Sequence, residues 1–101
     1  QYTVLTGIAN NNQPAEFTLN QNYPNPFNPI TNIEFSVGKQ SHIRITVSDL
    51  LGRETIELVN NYYTQGIHNA VFEGKKYSSG IYFYRLSAGY FNEARKMLYI
   101  K

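Results

Sequence analysis

The 101-residue chain predicts an all-β domain, an antiparallel β-sandwich of about seven short strands, on three observations. Apolar and polar residues alternate at a period of two along most of its length, as in strands with one wet face. Turn-forming Gly, Asn and Ser recur between these runs, and no stretch sustains a helical period. The composition also permits a core. Leu, Ile, Val and Phe make up 27 of the residues, above the roughly 20% below which chains stay disordered. The chain has no cysteine, so no disulfide framework, thiol nucleophile or cysteine-ligated metal can supplement that core.

Residues 1–15 read as a linker or the end of a preceding domain, because Asn10-Asn11-Asn12-Gln13-Pro14 is a polar run ending in a breaker. The domain proper is expected over 16–101, as a piece of a longer protein, since the chain opens on Gln1. A short strand at Phe17–Leu19 comes first. Tyr23-Pro24-Asn25-Pro26-Phe27-Asn28-Pro29 follows, and three prolines in six positions remove three backbone donors and push their predecessors toward extended geometry. No helix crosses it, so an extended, partly polyproline-like strap is expected.

Strands are then predicted at Thr31–Val37, through Ile33, Phe35 and Val37, and at His42–Asp49, through Ile43, Ile45 and Val47. Asp49-Leu50-Leu51-Gly52-Arg53 reads as a tight hairpin connection with Gly52 at positive φ. Glu54–Val59 is a weaker strand, and Asn60–Gln65 a polar loop bearing Tyr62 and Tyr63, closed by Gly66. Ile67–Glu73 is a strand whose inward set is either Ile67 and Val71 or His68, Ala70 and Phe72. After a charged loop over Glu73–Gly80, Ile81–Ala88 is apolar on both faces in its first half, which suits a central strand. Ala88-Gly89-Tyr90 is a turn, and Asn92–Ile100 the last strand. That number and spacing of strands favours an immunoglobulin-like sandwich, with an open barrel as second choice.

Most chemistry is excluded by what the chain lacks. A net charge of +2 without a basic stripe argues against nucleic acid, and no apolar run is long enough to span a bilayer as a helix. None of the 12 asparagines begins an Asn-x-Ser/Thr glycosylation site. The two histidines, His42 and His68, lie on different predicted strands, and the only aspartate, Asp49, sits in a turn. Glu54 and Glu57, three apart on a strand, point to opposite faces. No catalytic residue, cofactor or metal ligand is assigned; a calcium site would need more carboxylates than any loop here supplies. Two histidines also fall short of the three protein ligands of a catalytic zinc. Pro26-Phe27-Asn28-Pro29 has the form of a PxxP ligand but no flanking arginine, and reads as structural.

Four motifs stand in order: Tyr23–Pro29, Asp49–Glu54, Ser79-Gly80-Ile81-Tyr82-Phe83-Tyr84-Arg85-Leu86, and Lys96-Met97-Leu98-Tyr99-Ile100-Lys101. Together they resemble the C-terminal sorting domains of type IX secretion cargo proteins of Bacteroidetes-type bacteria. The resemblance implies an immunoglobulin-like, non-enzymatic tag, recognised by the outer-membrane translocon chiefly through its final strands. It also implies an attached N-terminal cargo, passage through the periplasm to the cell surface or medium, and removal of the tag by a sortase-like peptidase within residues 1–15. Gly80, Tyr82 and Arg85 match the family's Gly-x-Tyr strand, and Lys96 and Lys101 its terminal basic residues. Tyr77 departs from an aliphatic preference before Ser-Gly.

Other roles are open to the same residues. Gly80 can serve backbone geometry alone, and Lys96 and Lys101 can act as charges that protect a sheet edge. An alternative function is an adhesion or carbohydrate-binding module using Tyr62 and Tyr63, with Tyr77 and Tyr90 also in loops or turns. A third is an inert spacer similar to the immunoglobulin-like domain of the flagellar hook-capping protein. Exposed strand edges make association of two copies a further expectation.

Overall fold

A computed structural model describes residues 16–101. Seven strands follow in order: β1 (Thr18–Leu19), β2 (Ile30–Val37), β3 (Ser41–Asp49), β4 (Glu54–Tyr63), β5 (Gly66–Glu73), β6 (Gly80–Ala88) and β7 (Phe91–Tyr99). They form two antiparallel sheets, β1-β2-β5 and β4-β3-β6-β7. This is the immunoglobulin-like sandwich arrangement of three strands facing four. The predicted linker over 1–15 lies outside the described residues.

The period-two pattern does what it predicts. Ile33, Phe35 and Val37 from one sheet meet Ile43, Ile45, Val47, Tyr84 and Leu86 from the other, all essentially without solvent contact. Each such side chain contributes about 1.5–3 kcal/mol through burial. β6 is central, flanked by β3 and β7, as its two apolar faces require. The ambiguity in β5 resolves to His68, Ala70 and Phe72 inward, while Ile67 and Val71 face solvent.

Two expectations are corrected. β4 does not stop at Val59: it runs to Tyr63, because the start of β3 needs a partner and pairs Ser41 with Tyr63 and His42 with Tyr62. The connection to β5 is therefore only residues 64–65. Nor is the proline segment the extended, partly polyproline-like strap expected. It bends at 24–26 and 28–29, its three X-Pro peptides are cis, and it touches strands at Tyr23, which bridges Asn32, and Phe27, which bridges Tyr99.

Strand directions sort the connections into two groups. The β1–β2 strap, the β3–β4 turn and the β5–β6 loop gather at one end, which we call the strap pole. The short connections β2–β3, β4–β5 and β6–β7 lie at the other, the hairpin pole.

Candidate functional site

All four sequence motifs converge on the strap pole. The sheet register places Asp49 opposite Tyr82, Gly80 opposite Tyr99 and Met97 opposite Tyr82, so the turn, the Gly-x-Tyr strand and the terminal strand are neighbours. The strap then docks on the outer edge of β7. The Phe27 amide donates to the Leu98 carbonyl at 3.0 Å, and the Ile100 amide donates to the Phe27 carbonyl at 3.1 Å. The Leu98 amide donates to Asn25 Oδ1 at 2.9 Å, and Gln21 Nε2 donates to the Lys96 carbonyl at 2.7 Å. Edge groups that would otherwise face solvent are thus occupied by a segment more than seventy residues earlier in the chain.

Packing reinforces these bonds. Phe27 is buried, stacks on Tyr99 at a ring separation of 5.0 Å and meets Phe72 edge-on at 5.9 Å. Phe72 stacks on Tyr77, which lies beside Tyr82. Gly74 closes this aromatic cluster: a Cβ there would stand 3.1–3.3 Å from the rings of Tyr99 and Phe27. At the start of the strap the buried Tyr84 hydroxyl donates to the Asn20 carbonyl at 2.6 Å and accepts from the Asn22 amide at 2.7 Å. Burial pushes this phenol up to about 12. Asn22 Nδ2 donates to Thr31 Oγ1 and to the Pro24 carbonyl, and Arg95 Nε donates to the Leu19 carbonyl.

The expected signal residues divide into two kinds. Tyr82 is buried and donates its hydroxyl to the Ser78 carbonyl at 2.7 Å, four residues upstream. That is the tyrosine corner of immunoglobulin-like sandwiches, a structural device. Burial, then the nearby Asp49 charge, raises its phenol pKa. Gly80 has φ +151°, and a Cβ there would meet nothing within 4 Å, so its requirement is conformational. Arg85, Lys96 and Lys101 are exposed. Arg85 donates to the Asn92 side chain, whereas Lys96 and Lys101 form no ion pair among the described residues. The Lys101 amide donates to Ser79 Oγ at 2.8 Å, tying the terminal motif to the turn before β6.

The second motif, Asp49–Glu54, forms a self-contained turn. Asp49 Oδ1 accepts from the amides of Leu51 and Arg53, and its Oδ2 from Arg53 Nε at 2.8 Å. The Arg53 amide, followed by its guanidinium, holds the Asp49 carboxyl below its ordinary range. Gly52 takes φ +87°, as the turn predicts.

The tyrosine platform does not assemble. Tyr62 and Tyr63 are successive residues of a strand and point to opposite faces. Tyr62 stands exposed against His42, with rings 5.1 Å apart; Tyr63 packs on Phe35 and His68. Tyr77 is packed into the aromatic cluster, and Tyr90 lies at the hairpin pole. Among the described residues, no group of three or more His, Asp or Glu comes together, and no helix is long and apolar enough to cross a membrane.

Sequence reasoning missed Gln21, Asn25, Phe27 and Ser79 as contacts of the last strand. The proline spacing marks the strap, but nothing in it specifies where the strap docks. Searches of curated proteins and of solved structures return no match. The profile of the secretion system C-terminal sorting domain matches residues 21–101, four-fifths of the chain, opening at the first strap residue that bonds β7. The match spans all four motifs and the pole they build, so the chain belongs to the secretion system C-terminal sorting domain family, the sorting tails of type IX secretion.

Proposed function

We propose that this domain directs an attached N-terminal cargo through the type IX outer-membrane translocon, and that the translocon reads the strap pole as one folded surface. The family supplies the sorting role and export to the cell surface or extracellular space. The composite reading rests on one observation: the outer edge of β7 is hydrogen-bonded to the strap at Lys96, Leu98 and Ile100. A partner approaching that edge meets strap and strand together. Lys96, Lys101 and Arg85 are the exposed cations offered to it, while Gly80 and Tyr82 shape the backbone that presents them. The domain is non-enzymatic, and a sortase-like peptidase acts on the chain preceding the sandwich.

A secretion assay tests this. A periplasm-directed fluorescent passenger is fused to residues 1–101, to a version lacking residues 96–101, and to residues 80–101 alone, in a host with a working type IX system. Export of the first fusion only is expected. Lys96→Gln with Lys101→Gln should reduce export while leaving the fold intact. Retention of the folded 1–101 fusion in the periplasm would overturn the sorting role. Full export by residues 80–101 alone would overturn the composite reading and leave a linear signal.

A further inference from the structure

Of the four outer edges of the two sheets, three are blunted. β7 is covered by the strap, β1 has only two residues, and β4 carries register shifts opposite Ile45/Thr46 and Val47/Ser48. The shift at Val47/Ser48 also corrects the expectation for Glu54 and Glu57: the extra residue between them puts both on one face, where they hold Arg44 across the ladder. Bulges, short strands and charges are the devices that keep edges from pairing. β5 is neither short nor bulged, and its one acidic residue, Glu73, stands at its very end. From Gly66 to Phe72 it carries no charge, no proline and no register shift against β2.

The direction of its free groups follows from the register. Asn32 and Glu34 of β2 spend their backbone groups on the strap side, with Tyr23 and Asn20, so Thr31, Ile33, Phe35 and Val37 bond β5. Their partners are Phe72, Ala70, His68 and Gly66. The amides and carbonyls of Ile67, Asn69 and Val71 therefore point away from the sheet, and no hydrogen bond to them is found among the described residues. The side chains of Ile67 and Val71, 60% and 54% exposed, flank Asn69 on the same face.

We propose that β5 is a docking edge for a second copy of this chain, the two strands pairing antiparallel about a two-fold axis at Asn69. That register sets Asn69 opposite its own symmetry mate and Ile67 opposite Val71 on both sides of the axis. About six backbone hydrogen bonds form, since each opposed pair exchanges two. Both flanking pairs join β-branched side chains, a favourable cross-strand combination. The interface is isologous and closed, and it merges two three-stranded sheets into one of six. The strand complements itself in this register, which is what favours a second copy over an unrelated peptide. This proposal stands independently of the type IX role.

Sedimentation velocity of the 101-residue chain, from micromolar to near-millimolar concentration, is expected to show a monomer–dimer equilibrium. Asn69→Pro removes one donor that faces away from β2, a position where an edge strand tolerates proline, and should abolish the dimer. Ile67→Lys with Val71→Lys should do the same from the exposed face, and decides the matter if the proline variant unfolds. With no native cysteine, Asn69→Cys reports alone: a short thiol crosslinker should join two chains through it, but not through Asn61→Cys on β4. A chain that remains monomeric throughout overturns the proposal. So does a dimer that survives the folded β5 variants or crosslinks through Asn61 in place of Asn69.

Discussion

The two poles share the same seven strands but are held by different means. At the hairpin pole the connections are residues 38–40, 64–65 and 89–90, short enough that the strands they join dictate their course. At the strap pole they are 20–29, 50–53 and 74–79. These longer segments are pinned by side chains: Asn22 and Asn25 in the strap, Asp49 in the turn, Ser79 and the Tyr82 corner in the loop. Loop length alone therefore says little about order. What matters is whether the loop's backbone groups find partners.

Single substitutions should accordingly bite at one pole and not at the other. The largest effect is expected for Phe27→Ala, which empties the space between Tyr99 and Phe72. It should cost about 3–5 kcal/mol in urea unfolding. Hydrogen exchange should accelerate at Leu98 and Ile100 before it does at β3. Full protection of those amides in a folded variant would show that the strap does not latch the strand.

Gly74→Ala should follow, at about 1–3 kcal/mol, because its methyl group presses on two stacked rings. Tyr84→Phe leaves the Asn20 carbonyl and Asn22 amide unpaired, at about 1–3 kcal/mol near neutral pH. It also carries a pH signature. The folded phenol, at about 12, lies above the ordinary value near 10 of the unfolded chain. The wild-type contribution is therefore complete below pH 10 and is lost as pH rises through 12, a decline of roughly 3 kcal/mol. The Phe variant should show a shallower decline, read as urea midpoints between pH 9 and 12. Parallel curves would mean the hydroxyl is not held as described.

Gly52→Ala, a strained left-handed residue with open space around it, should cost about 1–2 kcal/mol. Smallest is Tyr90→Ala at the hairpin pole, where a ring 94% exposed should change stability by less than about 0.5 kcal/mol. A larger loss there would erase the contrast between the poles.

Much of this was legible in the sequence because alternation and turns are local. Ile33, Phe35, Ile43 and Ile45 declare their facing by neighbours two residues away, and Gly52 declares its turn. What depends on a distant partner was not legible. Asn60-Asn61 looks like a loop until β3 is seen to require a strand there. Val71 looks as apolar as Phe72, and only the sandwich decides which one is buried. The strap's docking site is the extreme case, because Asn25 and Phe27 carry no mark of Leu98.

That distance has a consequence for the order in which the molecule is made. During synthesis the strap emerges early, yet its partners Leu98, Tyr99 and Ile100 are polymerised more than seventy residues later. Loop-closure entropy must be met before such remote contacts reward it, so they form late and slowly. A ribosome-bound or prematurely stopped chain can assemble the hairpins but cannot close the strap pole. The strap pole thus exists only on chains whose translation has run through residue 100, and a chain stopped before β7 lacks it.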